Sequence, residues 1–444
     1  MKIHKSLGLI FLAGCCWNNG WTAPLPPASS QSNDTELTLK TSKRTLGKEY
    51  PVPPTITVKG SDFTAELNGK KTHFVRPLVA AAPRLKPSAG GKVIYVSPNG
   101  TGNGGKNSPM GSIQEAVDQA GPGDMVVINQ GEYVEAVKIT KSGREGAPIV
   151  ITAAPGALPR IILPFGKKSH EESFSLGVVS LHGCGYVWIQ GLVLEGDLHR
   201  SDSPETWGEK YGACGIVLSN GAGEGVRISN CISYWNSHCG FKEMGHGGAH
   251  FIFEGNIAFW SGNDITDHGF YIPSSDATIR GNLTFEIVGY GIHVYPSPKR
   301  LNIEKNLCIN MGAGGICLAG SFHQVINNTC VGNKWGIVFY SNTSTNNVVE
   351  GNISVMNKVD IMQAVNTTDP APTGNHCDYN DVHVTKLSLE SEEQAQQYTG
   401  KHDIDQNPQF VNEEKGDYRL GEKSPARGAG KPGADGKRTN MGAF

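Results

Sequence analysis

A spaced phrase in the second half of the chain limits the possible folds more than any other feature. Apolar residues Ile228, Phe253, Ile279, Ile303, Val325 and Val349 are each followed within a few positions by Asn or Gly and then by a second apolar stretch. They lie 25, 26, 24, 22 and 24 residues apart. A further strand-like stretch recurs after each copy, marked by Gly240, Gly269, Gly291, Gly315 and Gly336. A fixed period of this length, with two or three short strands and no helical periodicity, is one turn of a parallel β-solenoid. Leucine-rich repeat phrases are absent.

Composition agrees with an all-β coil stack. Glycine accounts for 57 of 444 residues and charged residues for 18%, as expected where many short strands alternate with tight turns. A repeat fold extends one core indefinitely, so a single long domain over residues 93–444 is allowed. The segment Ser112 to Ala120 has a Ser N-cap with Glu115 three residues on, the signature of a short helix suited to closing the N-terminal end of the stack. Gly121 to Asp124 then turns into Met125 to Ile128, taken as the first coil strand.

The start of the chain reads as an export signal. Basic residues precede a short apolar run, Leu7 to Ala13, that is too brief to span a bilayer. The run ends before Cys15 in a pattern resembling the bacterial lipoprotein box, which implies removal of residues 1–14 and lipid on Cys15. The alternative is an ordinary secretory signal cut after Ala23. Residues 15–45 have the composition of a tether. Residues 46–92 are an N-terminal extension, read as a strand or arm along the body. The protein is thus expected in the bacterial cell envelope, or secreted. Of the ten cysteines, Cys15 and Cys16 belong to the anchor region, and the other eight show no metal-ligand spacing and read mainly as packing residues. A net charge of −2 gives no basic field for nucleic acid. The only membrane contact expected is through the lipid, and the chain is read as a monomer.

The phrases Tyr95 to Asn103, Gly121 to Asp124 followed by Gly131 to Glu135, Gly146 to Thr152, Asn407 to Val411, Gly416 to Leu420 and Ser424 to Ala426 resemble bacterial proteins of the pectate-lyase-like superfamily. The resemblance covers about residues 93–444 and implies a right-handed parallel β-helix. For function it implies a choice among polysaccharide lyases, uronate epimerases, glycosidases and non-enzymatic adhesins.

Stacking the repeats places candidate chemistry. With the five glycines at one level, Phe241, Phe270, Ile292, Ile316 and Ile337 form an inward column. Alternation then sends Lys242, Tyr271, His293, Cys317 and Val338 outward. Cleaving a uronate chain by β-elimination requires a neutralised carboxylate, a base for the C5 hydrogen and an acid for the departing oxygen. Lys242, Tyr271 and His293 are candidates for these tasks, with His268 as an alternative base and Arg280 or Arg300 as the nearby cation. A cation beside Tyr271 or Lys242 is expected to lower its pKa.

A polar insertion, Gly262 to His268, precedes the Tyr271 strand. Resemblance to calcium-dependent lyases would allow Ca2+ on Asp264, Asp267 and Asp276. A longer insertion, Gly196 to Tyr211, gathers His199, Arg200, Trp207, Lys210 and Tyr211, suited to stacking on sugars and pairing with carboxylates. Trp235 and Trp260 align in adjacent coils and extend that platform. The column Asn256, Asn282, Asn306, Asn328 and Asn352 is read as scaffold at left-handed bends.

The leading expectation is a lyase acting on an acidic polysaccharide. A glycoside hydrolase would need two opposed carboxylates, and Asp264 and Asp267 share one loop. The epimerase motif Asp-Pro-His-Asp is not reproduced at Asp267. A glycan-binding or adhesive solenoid remains the non-enzymatic alternative.

Overall fold

The structure, a computed structural model, describes residues 36–39, 50–77, 86–166, 176–199, 212–245, 250–364, 372–383 and 396–444. Three long sheets run its length, of eleven, nine and ten strands among the described residues, parallel except for the last strand of the third, Gln396–Gln397, which pairs antiparallel with Val359–Ala364. Each coil contributes one strand to each sheet. In the coil beginning at Ile252, the first sheet takes Ile252–Glu254, the second Ile257–Phe259 and the third Phe270–Ile272. The repeat alignment is the pairing register: Ile228, Phe253, Ile279, Ile303, Val325 and Val349 are successive partners in the first sheet. The stack starts one strand earlier than expected, because Val93–Val96 pairs in parallel with Met125–Ile128.

The glycine column is a spacing requirement. The strands of the third sheet approach the side chains of the second so closely that a Cβ on Gly336 would lie 1.9 Å from Ser354 Oγ, and one on Gly291 would lie 2.6 Å from Thr284 Oγ1. No side chain fits there.

Asparagines lock each turn between the first and second sheets. Asn256, Asn282, Asn306, Asn328, Asn352 and Asn380 are fully buried; from Asn282 onward each side-chain carbonyl accepts the backbone N–H of the Asn one coil earlier, at 2.8–3.0 Å, and Asn256 Oδ1 accepts from Cys231 N at 3.0 Å. The left-handed bend itself falls one residue before, at Gly255, Gly281, Lys305, Asn327 and Gly351. The ladder residues are therefore selected for hydrogen bonding from coil to coil rather than for their backbone conformation. A second ladder, Met311 to Asn333 to Asn357, runs at the turn between the second and third sheets.

Helix α1 spans Ile113–Gln119 and buries Ile113, Ala116 and Val117 against the first coils. Ser112 Oγ accepts from Glu115 N. The other half of the cap comes from Glu135, whose carboxylate accepts from Ile113 N and Gln114 N at 2.8 and 3.0 Å.

Within residues 46–92 the described strands Thr55–Lys59, Asp62–Leu67 and Lys70–Val75 form an antiparallel sheet, joined by Leu37–Leu39 from the stretch read as tether. Its Phe63 and Phe74 pack on Phe259 and Phe285 of the second sheet, with ring centroids 4.7–6.0 Å apart. Among the described residues no helix is long and apolar enough to cross a membrane.

Candidate active site

On the third sheet Val217, Lys242, Tyr271, His293, Cys317 and Val338 are consecutive register partners. Lys242, Tyr271 and His293 thus occupy three adjacent coils, a strand spacing of about 4.8 Å each. The turns from the second to the third sheet pass beside this strip, and they supply the groups that organise it.

The first group is a relay. Asn263 N and Asp264 N both donate to Asp267 Oδ2 at 2.8 Å, so the loop's own backbone aims this buried carboxylate. Its Oδ1 contacts His238 Nδ1. A carboxylate only accepts, so the imidazole proton sits on Nδ1, and Nε2 is left as an acceptor facing Lys242 Nζ at 2.7 Å. The same logic assigns a second chain. Tyr290 N donates to His268 Nδ1 at 3.1 Å, which puts the His268 proton on Nε2, 2.7 Å from His293 Nδ1. His293 must then carry its own proton on Nε2, a buried atom with no hydrogen-bond partner among the described residues.

Burial, followed by the charges of His293, His238 and Lys242, pushes His268 well below the ordinary histidine range. Burial alone pushes His293 down to about 4. Both rings are neutral at neutral pH. Selective nitrogen-15 labelling of histidine should therefore show His268 and His293 as Nε2–H tautomers near pH 7, with His293 unprotonated until the pH approaches 4. An imidazolium signal from His293 at pH 6 would contradict the assignment.

Tyr271 lies between the two groups. Its ring stacks on His268 with centroids 5.8 Å apart, and Lys242 Nζ is 5.7 Å from its centroid. The lowering expected from a cation is not what the environment does. Burial, then Cys239, Tyr295 and Glu243, pushes the phenol up to about 12, so Tyr271 keeps its proton. Tyr295 and Tyr340 extend the strip as exposed rings, 6.1 Å apart and 5.5 and 6.4 Å from His293.

Other expected residues lie elsewhere. Arg280 is on the first sheet, outward as its parity implies, and forms a two-pronged pair with Glu254 at 2.7 and 2.8 Å. Burial raises the Glu254 pKa, but Arg227 and Arg280 together outweigh it and hold the carboxyl below its usual value. Arg280→Ala is expected to leave turnover unchanged and to lower stability by about 1 kcal/mol, measured by product formation and urea denaturation. A collapse of turnover would return Arg280 to the site. Arg300 pairs with Asp276 at 2.7 Å beside the same sheet. Asp276 is thus separated from Asp264 and Asp267, and both Asp267 oxygens are already engaged, so the three aspartates do not form one oxygen ligand set. Trp235 is buried, and Trp260 donates to Glu286 at 2.8 Å. Arg200, Trp207, Lys210, Tyr211 and Cys15 lie outside the described residues.

The sequence reading missed His238. Extending the glycine alignment two residues back sets His238 opposite Asp267 and Cys239 opposite His268, and that step would have found the pair. Cys214 Sγ and Cys239 Sγ lie beside His238, and among the described residues these three are the group of potential metal ligands drawn close together.

Comparison with known proteins agrees with this architecture. The family described as "Right handed beta helix region" matches residues 208–354. Pectate lyase L of Dickeya chrysanthemi is 24% identical over 354 residues, covering 65% of this chain and 77% of that protein. Pectate lyase PEL9 of Emericella nidulans is 43% identical over 67 residues, 14% of this chain and 16% of that one. The crystal structure of pectate lyase Pel9A superposes with a TM-score of 0.52 at 16% identity, over 81% of this chain and 98% of that one. With its period, its three long sheets and its asparagine ladders, the chain is a right-handed parallel β-helix whose similarities support a pectate-lyase-like fold.

Proposed function

We propose that the protein is a polysaccharide lyase that cleaves a uronate-containing chain by β-elimination. The observation that carries this reading is the Asp267, His238 and Lys242 relay set beside protonated Tyr271 on one strip. His238, oriented by Asp267, takes a proton from the Lys242 ammonium and leaves a neutral amine. That amine removes the hydrogen at C5 of the sugar. The electron pair released forms the C4–C5 double bond as the C4–O bond breaks, and the Tyr271 hydroxyl protonates the departing oxygen. Solvent then carries the proton gained at Lys242 to the tyrosinate, which restores the neutral amine and the phenol for the next turnover while His238 keeps the proton it took.

His293 Nε2–H serves the uronate carboxylate, where charge builds as the C5 hydrogen leaves. His268 holds the His293 tautomer. Tyr295 and Tyr340 offer ring faces to the sugars on either side. Arg200, Trp207, Lys210 and Tyr211 belong to the insertion between Val193–Glu195 and Ala213–Ser219, and we assign them to substrate binding. Calcium has no role in this scheme. We propose further that the protein meets its polysaccharide outside the cytoplasm, a reading that rests on the apolar run Leu7 to Ala13 before Cys15.

The test is ultraviolet absorbance during incubation with pectate, alginate, glucuronan and glycosaminoglycans. A rise from the unsaturated uronate establishes β-elimination and names the sugar. New reducing ends without that rise indicate a hydrolase, and retention on the polysaccharide without any product indicates a binding solenoid.

A further inference from the structure

We infer that Cys214, Cys239 and His238 form a site for a thiophilic closed-shell cation such as Zn2+ or Cd2+, and that its occupation disables the neighbouring relay. The three donor atoms lie within 4.8 Å of one another. A tetrahedral ion with metal–sulfur bonds of about 2.3 Å and a metal–nitrogen bond of about 2.0 Å wants its donors roughly 3.5–3.8 Å apart. Cys239 Sγ and His238 Nδ1 are 3.5 Å apart.

The scaffold holds the ligands in place before any ion arrives. Cys214 stands on a strand of the third sheet and Cys239 in the turn that leads into the next coil's strand, tied by Gly215 N donating to Cys239 O at 3.2 Å. Both are fully buried beside Val217, with Met244 and Tyr271 packed against them. Burial raises the Cys214 thiol, but the Cys239 hydrogen bond and the charges of His238 and Lys242 more than offset it and lower the thiol below its ordinary value. Thiolate is the form that binds metal. Three protein ligands leave the fourth position of a tetrahedral ion to water or a substrate oxygen.

The consequence for the relay follows from proton positions. An ion on His238 Nδ1 displaces the contact with Asp267 and forces the ring proton to Nε2. His238 then presents a donor to Lys242 and can no longer take its proton. Binding also releases thiol protons, so affinity falls as the pH is lowered. The inhibitory half of the inference rests on the lyase reading, whereas the binding half does not.

The test uses the full chain, reduced, stripped with chelator and titrated with Cd2+ while the thiolate-to-cadmium absorbance is followed, with calorimetric titration of Zn2+ in parallel. Saturation at one ion per chain is expected, abolished in Cys214→Ser and in the apolar variant Cys214→Val, with circular dichroism checking that both fold. Saturating Zn2+ should reduce product formation at least about 100-fold, reversibly with chelator, and should spare Cys214→Ser. Three results overturn the site: no absorbance band in the wild type, a band that persists in both variants, or thiol titration showing a Cys214–Cys239 disulfide with no metal uptake after reduction. A one-ion band in a protein that cleaves nothing upholds the site and sinks the lyase reading. Cleavage without a band does the reverse.

Discussion

Lys242→Met is expected to reduce product formation at least about 1,000-fold, within the range that a positioned proton-transfer group contributes, while leaving the circular dichroism spectrum and urea midpoint close to wild type. The substitution keeps the length and apolar stem of a buried side chain and removes the one amine on the strip. Lys242→Arg should fail almost as badly, because a guanidinium does not deprotonate at working pH. Asp267→Asn should be milder, about 100-fold, since the amide still fills the loop but no longer fixes the His238 proton on Nδ1. If Lys242→Met keeps a tenth of wild-type turnover, Lys242 is not the base, and the scheme falls with it.

The largest loss of stability is expected at the asparagine ladder. Asn306 Oδ1 accepts from Asn282 N and Asn282 Nδ2, and its own amide donates to Ile279 O and Asn328 Oδ1, all at 2.9–3.0 Å and out of contact with water. Asn306→Ala takes the acceptor from Asn282 N and one bond each from Asn282 Nδ2, Ile279 O and Asn328 Oδ1, although Asn282 Nδ2 keeps Phe253 O and Asn328 Oδ1 keeps the backbone N–H of residue 306. A buried group left without a partner costs about 1–3 kcal/mol and a weakened one less, so a total of about 3 kcal/mol is expected. The readout is the shift of the urea midpoint at unchanged slope. An unchanged midpoint would mean that water or a neighbouring group replaces the ladder.

Much of the architecture was legible because two periods act together. The coil period aligned the repeats, and strand alternation separated inward from outward residues, so Lys242, Tyr271 and His293 emerged as register neighbours. Alternation cannot say on which sheet an outward residue stands. Arg280 was rightly outward but belongs to the first sheet, paired with Glu254. Nor does alternation reach into turns, and His238, which joins Asp267 to Lys242, lies in one. The direction of the Tyr271 shift was misjudged because burial, which a sequence shows poorly, outweighs the nearby cation. The N-terminal sheet did leave a signal. Asn68 and Gly69 both have positive φ between Leu67 and Lys70, the two-residue hairpin turn that Asn-Gly favours.

A stack of coils is in principle a one-dimensional array that can fray from either end. Here the ends of the described chain meet. His73 Nδ1 contacts Lys415 O at 2.7 Å, Val75 N donates to Gly416 O at 3.0 Å, and Phe74 stacks on Tyr418. Farther along, Gly442 N donates to Gly351 O and Ala443 N to Thr329 Oγ1. The N-terminal sheet and the C-terminal segment thus clasp each other over the flank of the second sheet. Shedding a terminal coil requires breaking a contact made by residues hundreds of positions away, and this turns an array that could peel coil by coil into a belt that opens all at once.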